Sequence, residues 1–486
     1  MKRICLLLLN LIPLSLSSRV VHVGAGFAIS SPANLQGQLK AGDTAIIHAG
    51  NYSGPFYLSN FSGTSLAPII IKSALNEMVL FTSGTESFHF SNVSYLEIAD
   101  LIIERQTGNG MNIDDGGSLT NPSRYITIRN CIFKNINATG NNDLLKLSGI
   151  DDFVVKDCIF QKGSPGGSGI DMVGCHRGNF IRNKFIDQGS NSIQIKGGSE
   201  YIHISQNSFL NGGARAVNIG GSTGLEFFRP QNATFEASRI MVFANIFEGG
   251  ETPFAFVGAV HSIVFNNTII RPGKWAMRIL QETVNANRFE PSGKDSVVNN
   301  LFIINSNVST EVNIGPNTNP QSFFYSNNLW YKENQNNWAG PSSLPVTDTK
   351  QIIGNPLLDL SSYKAGNPAL LFQKGKTVRN NVKDYNNADF KMPPSIGAIE
   401  ITLNTTPVGI LGKSTTNVFP NPGQDQITIE VTDPGSYILF DGAGKKWQAG
   451  KLIKGSNSIF MNKVNSGIYF LKIESRSTEI IKWIKI

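Results

Sequence analysis

Four segments of the chain can be laid on one another: NDLLKLSG (142–149), SGIDMVG (168–174), NSIQIKGG (191–198) and RAVNIGGS (215–222). Lys146, Asp171, Gln194 and Asn218 then share a column, at steps of 25, 23 and 24 residues. Leu147, Met172, Ile195 and Ile219 form the next column, and Ser148, Val173, Lys196 and Gly220 the one after. Alternation within each segment has the period of a strand. Recurrence of the whole segment has the period of a solenoid. An apolar column between two polar-tolerant ones predicts strands with one face inside and one wet.

A second series supports this period. Asn183-Lys184-Phe185, Asn207-Ser208-Phe209, Asn245-Ile246-Phe247, Asn300-Leu301-Phe302 and Asn328-Leu329-Trp330 repeat one pattern, and Asn267-Thr268-Ile269 is a softer copy. Cys131 and Cys158 take the Asn position in two earlier turns. A buried Asn in each turn can bond its own backbone and its neighbours, while the aromatic column fills the core. No turn buries its apolar face alone, so the turns must stack. The expected fold is all-β: a right-handed parallel β-helix over 19–400. Strand alternation with β-branched and aromatic residues excludes a helical solenoid.

Charged residues are only 16 %, with 48 glycines, which suits short strands joined by turns. Residues 1–18 read as a secretory signal: Lys2-Arg3, then an apolar run from Ile4 to Leu16 that is too short to span a membrane. Removing Lys2 and Arg3 leaves 40 basic against 35 acidic residues, a balance of +5. A mild basic excess is compatible with an anionic polymer. No nucleic-acid-binding pattern and no transmembrane segment occur, and a monomer is expected. Three cysteines remain in the mature chain, an odd number that rules out a complete disulfide framework. Cys131 and Cys158 could bridge adjacent turns, but two buried thiols are the simpler reading.

Ser31-Pro32 reads as an N-cap and first turn of a short helix, Ala33–Leu39, covering the open end of the coil. Gly42-Asp43-Thr44 through Tyr52, then Ala67-Pro68-Ile69-Ile70-Ile71, resembles the first turns of secreted bacterial β-helix proteins. Gly354-Asn355-Pro356, Gly366-Asn367-Pro368 and Ile396–Glu400 resemble the closing segment of such proteins. Insertions at 115–124, 222–238 and 281–295 are expected to shape a binding face. A Thr/Pro/Gly-rich linker, 401–416, precedes a module over 417–486 that reads as a small antiparallel β-sandwich. Its Val418-Phe419-Pro420-Asn421-Pro422, Gly467–Ile473 and Lys482-Trp483-Ile484-Lys485-Ile486 resemble the C-terminal sorting domain of the bacterial type IX secretion system. That resemblance implies a partner in the secretion machinery and a secreted or cell-surface location.

The polar ladder around 143–229 nominates a site. A base together with cations that neutralise a carboxylate is what β-elimination of a uronate polymer requires. Lys196 is the candidate base. Arg215 and Arg177 are candidates to neutralise the carboxylate, and His176 is a candidate acid. Lys146, Asp171, Gln194, Asn218 and Arg229 are expected to bind substrate. The stretch 190–222 resembles the chondroitinase-B-like and alginate lyase family, with Lys196 at that family's lysine position; Arg215 would have to serve for an arginine absent near Gly220. The resemblance implies calcium as a cofactor, yet 189–195 carries none of the carboxylates that would bind it. The same stretch resembles polygalacturonases in frame, but Ser190-Asn191 stands for their paired aspartates and only Asp171 survives. A hydrolase would need Asp143 with Asp171, or Asp114 with Asp143. A non-catalytic glycan-binding solenoid is the third possibility.

Overall fold

The structure is a computed structural model, and it describes residues 18–335, 337–402, 416–441, 444–475 and 478–486. The secretory leader expected over 1–18 and the linker expected over 401–416 lie almost wholly outside the described residues. The chain forms two compact units, 1–402 and 403–486.

The first unit is a coil of parallel strands. Among the described residues, one continuous parallel sheet has 25 strands and a second has 12. In most turns the larger sheet bends once and so forms two walls. Strands Leu145–Ser148, Ser168–Val173, Asn191–Lys196 and Arg215–Gly220 belong to the first wall, and Ile150–Lys156 and His176–Ile181 to the second. The bend falls at Gly149 and Gly174, whose φ of +65° and +60° is cheap only for glycine. The 12-stranded sheet, with Ile132–Lys134, Ile159–Gln161 and Lys184–Ile186, is the third wall.

The registers follow the sequence columns closely. Asn112, Lys146, Asp171, Gln194 and Asn218 are successive partners, and the row continues through Ala255 to Arg278. One expectation is corrected. Beyond Gln194–Asn218 the ladder slips, so that Ile195 partners Gly220 and not Ile219. Gly220 has φ +106°, and a Cβ there would lie 1.8 Å from the Val257 carbonyl oxygen. Only glycine can occupy this irregularity.

Inside the coil, each Asn side chain donates to the Asn oxygen of the next turn, at 3.0 Å for every step from Asn183 through Asn207, Asn245, Asn267 and Asn300 to Asn328. Asp348 Oδ2 accepts the last of these bonds, again at 3.0 Å. At the other end, the Cys158 N–H donates to Asn183 Oδ1 at 3.0 Å and Cys131 N–H to Cys158 Sγ at 3.4 Å. Cys131, Cys158 and Cys175 are free, buried thiols. Phe133, Phe160, Phe185, Phe209 and Phe247 stack face to face with centroids 4.5–5.0 Å apart.

The helix expected at the open end is shorter than the sequence suggests. It is a single 3₁₀ turn, Pro32–Leu35, capped by the Ser31 side chain. The closing segment is a strap along the outside of the coil. Gln206, Asn266, Asn299 and Asn327 donate side-chain N–H bonds to the carbonyls of Asp384, Ser395, Lys376 and Lys374 at 2.7–2.8 Å.

The second unit holds antiparallel sheets of three and four strands, running from Asn417–Phe419 to Thr478–Lys485. Its core includes Ile427, Leu439, Leu471 and Trp483. Trp483 Nε1–H donates to the Pro420 carbonyl at 3.0 Å, which ties two of the motifs together. No helix among the described residues is long and apolar enough to cross a membrane.

Candidate active site

The outer face of the first wall is the floor of a cleft of about 610 Å³. Lys146, Ser148, Val173 and Lys196 form that floor, with Asp114 and Asp115 at one side and the loop of Thr223, Phe227 and Arg229 at the other. Two of the three insertions, 115–124 and 222–238, therefore flank this stretch of wall, and no residue of 281–295 lines the cleft.

Charge converges on the floor. Asp171 is 1 % exposed. Lys146 pairs closely with its Oδ2, and Lys196 Nζ lies 3.3 Å from its Oδ1. Asp143, also buried, is 3.7 Å from Lys146 Nζ and accepts the Ser168 N–H at 2.8 Å. Burial, and then the neighbouring Asp171 charge, push the Asp143 carboxyl up to about 7. Burial opposes the charge of Lys146, but Asp171 and Asp143 outweigh it and hold its pKa above the ordinary lysine value. Lys146 is thus a fixed cation. Gln194 is half-buried beside Asn191, and the buried Asn218 donates to the Gly220 carbonyl at 3.3 Å.

Of the other expected site residues, Arg229 borders the cleft, and Arg215, His176 and Arg177 are not among its lining. Arg215 is the strand partner of Asn191, five positions before Lys196. That is roughly 16 Å along the strand. Its guanidinium pairs with Glu282 at 2.7 Å and reaches Asn218 Oδ1 at 3.4 Å, so it stands over the Asn218 end of the row, toward Arg278. Sequence distance suggested adjacency; the hydrogen-bond ladder decides it. Arg278 lies near Arg215, over the Trp275 ring at 4.4 Å. Burial, and then the Arg215 charge, lower its pKa.

His176 and Arg177 lie past the Gly174 bend, at the start of a second-wall strand. His176 Nε2 is 3.2 Å from the Gly198 carbonyl and Nδ1 is 2.7 Å from an Arg229 nitrogen, so both ring nitrogens are engaged. Arg177 pairs with Asp151 and Asp152. Arg229 is 7 % exposed and bonds Asp151 and the Gly174 carbonyl. It fastens the 222–238 loop across the bend at the edge of the cleft.

Two participants escaped the sequence reading. Glu236 is fully buried, and its carboxylate accepts from the Gly197 N–H at 2.8 Å and from Thr223 N–H and hydroxyl at 3.0 and 2.7 Å. It also bonds Thr283, so one carboxylate anchors two insertions and the backbone next to Lys196. His89 stands in the same row as Asn112, 2.6 Å from Asp114 and 3.3 Å from Glu86. Hydrogen bonding to Asp114, then to Glu86, raises it to about 9.

The calcium implied by resemblance is not supported by the donors present. Among the described residues, no group of three or more His, Cys, Asp or Glu side chains is arranged to hold a metal ion. The hydrolase pairing of Asp143 with Asp171 is also poorly placed. Both carboxylates are buried under Lys146 and cannot flank a sugar linkage.

Residues 86–241 match the family model of the right handed beta helix region, and residues 417–486 that of the secretion system C-terminal sorting domain. No curated protein sequence matches the chain. Similar solved structures include an alginate lyase from Paenibacillus sp. str. FPU-7, at 15 % identity and TM-score 0.40, covering 63 % of this chain and 98 % of that one. Pectate lyase Pel9A is 14 % identical with TM-score 0.42, covering 79 % and 96 %. XylC in complex with xylose is 10 % identical with TM-score 0.46, covering 91 % and 100 %. The chain is a right-handed parallel β-helix protein that carries a type IX secretion sorting domain and is exported to the cell surface or the space beyond it.

Proposed function

We propose that the protein cleaves an acidic, uronate-containing polysaccharide by β-elimination. The observation that carries this reading is the convergence of Lys146 and Lys196 on one buried carboxylate, Asp171, at the floor of an open cleft. Lys146, held positive by two buried acids, neutralises the uronate carboxylate and stabilises the enolate-like charge that develops on proton loss. It takes the part that the sequence reading gave to Arg215. Lys196 in its amine form takes the proton from the carbon beside that carboxylate. The electron pair becomes the new carbon–carbon double bond, the glycosidic oxygen departs, and the Lys196 ammonium returns the proton to it. Asp171 orients both amines. Arg215 and Arg278, further along the same wall, suit other acidic units of the polymer.

Alginate, chondroitin, hyaluronan and pectin are the substrates to screen, reading the ultraviolet absorbance of unsaturated uronate ends. A hydrolase gives reducing ends without that absorbance, and a binder gives neither. Unaltered activity in Lys196→Ala would remove the assignment.

A further inference from the structure

The second wall carries a groove of its own, of about 670 Å³. Its floor is a single row of partnered residues, Asn179, His203, Met241 and Ile263, one from each of four turns. One rim is the row of Arg177, Tyr201, Arg239 and His261. Each of these has φ between +53° and +58°, which turns the side chain outward at the same point of every turn. The outer strap supplies Arg379 to the same groove.

Four turns at the spacing of paired strands give a length of roughly 14 Å. The groove therefore suits a short linear molecule lying along the coil axis better than a compact one. Its lining holds three guanidiniums, two imidazoles and no carboxylate. Arg177 and Arg239 do have acidic partners, Asp151, Asp152 and Glu200, but none of these lines the groove. Arg379 forms no ion pair among the described residues; one of its guanidinium nitrogens lies 3.2 Å from Met241 Sδ. Burial, and then the Arg379 charge, keep His203 below its usual pKa, so the floor stays neutral beside the Arg379 guanidinium. Tyr201 is 45 % exposed and lies under the Arg239 guanidinium at 5.5 Å. An aromatic ring and the apolar Met241 and Ile263 offer contacts to the C–H face of a sugar, and planar guanidiniums pair with carboxylate or sulfate.

We infer that this groove is a binding site for an acidic oligosaccharide, separate from the cleft on the first wall. It holds the polymer without cutting it and places Arg177 in binding rather than in catalysis. The site does not depend on the lyase reading, because none of its lining residues belongs to the cleft.

The test is titration calorimetry of the full chain with oligogalacturonate, oligomannuronate and chondroitin sulfate oligosaccharides, with cellohexaose as the neutral control. Oligogalacturonate and oligomannuronate carry carboxylates alone and chondroitin sulfate carries sulfates as well, so the comparison shows whether carboxylates suffice or sulfate is required. Lys196→Ala is used as the background to prevent turnover. The expected result is an acidic probe that binds, a neutral one that does not, and an affinity at least tenfold lower in R239A/R379A and in R379A alone. Both are substitutions of exposed side chains, and an unchanged melting curve checks the fold. Equal affinity in these variants overturns the proposal, as does the absence of binding by every acidic probe. Complete loss of binding in Lys146→Ala with R239A/R379A neutral would assign all binding to the cleft and overturn it too.

Discussion

Lys196 and Asp171 are diagonal neighbours. Asp171 is the strand partner of Gln194 and Val173 that of Lys196, yet the lysine reaches back so that Nζ stands 3.3 Å from Asp171 Oδ1. Diagonal pairs lie within reach of a long side chain in a sheet. The contact fixes the amine at the cleft floor with only 12 % of its side chain exposed. Lys196→Ala should leave the melting temperature within a few degrees and lower turnover by about 10²–10⁴-fold, the range for a lost general base. Initial rates of ultraviolet absorbance increase measure it. A rate within threefold of the parent would exclude Lys196 as the base.

Asp171 has a structural duty as well. Asp171→Asn keeps the shape but leaves the Lys146 ammonium and the Lys196 side chain facing a neutral amide. Breaking a buried pair by removing one partner costs about 3–5 kcal/mol, and Asp143, 3.7 Å from Lys146, offsets part of that. The expected loss is about 3 kcal/mol, read from urea unfolding of the coil unit. Unchanged stability would mean that the three side chains are not coupled.

The coil was legible because two independent columns repeat with one period, and every turn needs the next to cover its apolar face. The Lys146–Asp171–Gln194–Asn218 row and its extension to Arg278 were read correctly for this reason. The slip at Gly220 was not legible, since a one-residue irregularity leaves the pattern on both sides intact. Arg215 was misplaced because it lies 19 residues after Lys196, near one turn, while it pairs with Asn191. His176 and Arg177 are close to Asp171 in sequence, but the bend at Gly174 carries them onto another wall. Glu236 gave no signal, because an acid within an insertion reads as an exposed loop charge until the loop is seen to close over it.

The Asn ladder should be the least replaceable part of the coil. Asn245 donates to the carbonyls of Ile204 and Phe243 at 2.9 and 2.8 Å and accepts the Asn207 N–H at 2.9 Å. Asn245→Ala orphans these groups in a dry interior, where each unsatisfied group costs about 1–3 kcal/mol. The coil should lose roughly 3 kcal/mol or more on that basis. A thermal melt of the variant within a degree of the parent would show that the ladder is filler.

His89 supplies a pH signature. Its folded pKa is raised to about 9 from the ordinary 6.5, first by the Asp114 hydrogen bond and then by Glu86. The folded state therefore holds the proton more tightly than the unfolded chain. This stabilisation is complete below 6.5 and is lost as pH rises through about 9. The melting temperature should decline between these values, and His89→Gln should flatten that decline. A parallel decline in the variant would assign it to other groups.

Glu236 separates architecture from chemistry. Its carboxylate receives Gly197 N–H, Thr223 N–H and the Thr223 hydroxyl, all inside the protein. Truncating it in Glu236→Ala frees the 222–238 insertion along one side of the cleft and releases the backbone next to Lys196. Neither Lys146 nor Asp171 loses a direct partner. Binding and orientation should therefore suffer more than the intrinsic chemistry: KM should rise about tenfold and kcat should fall less, the pattern expected when a positioning contact is removed. Limited proteolysis should cut within 222–238 faster than in the parent. If kcat collapses while KM and the cleavage rate hold, Glu236 acts on the reacting atoms themselves and the anchoring role assigned to it is wrong.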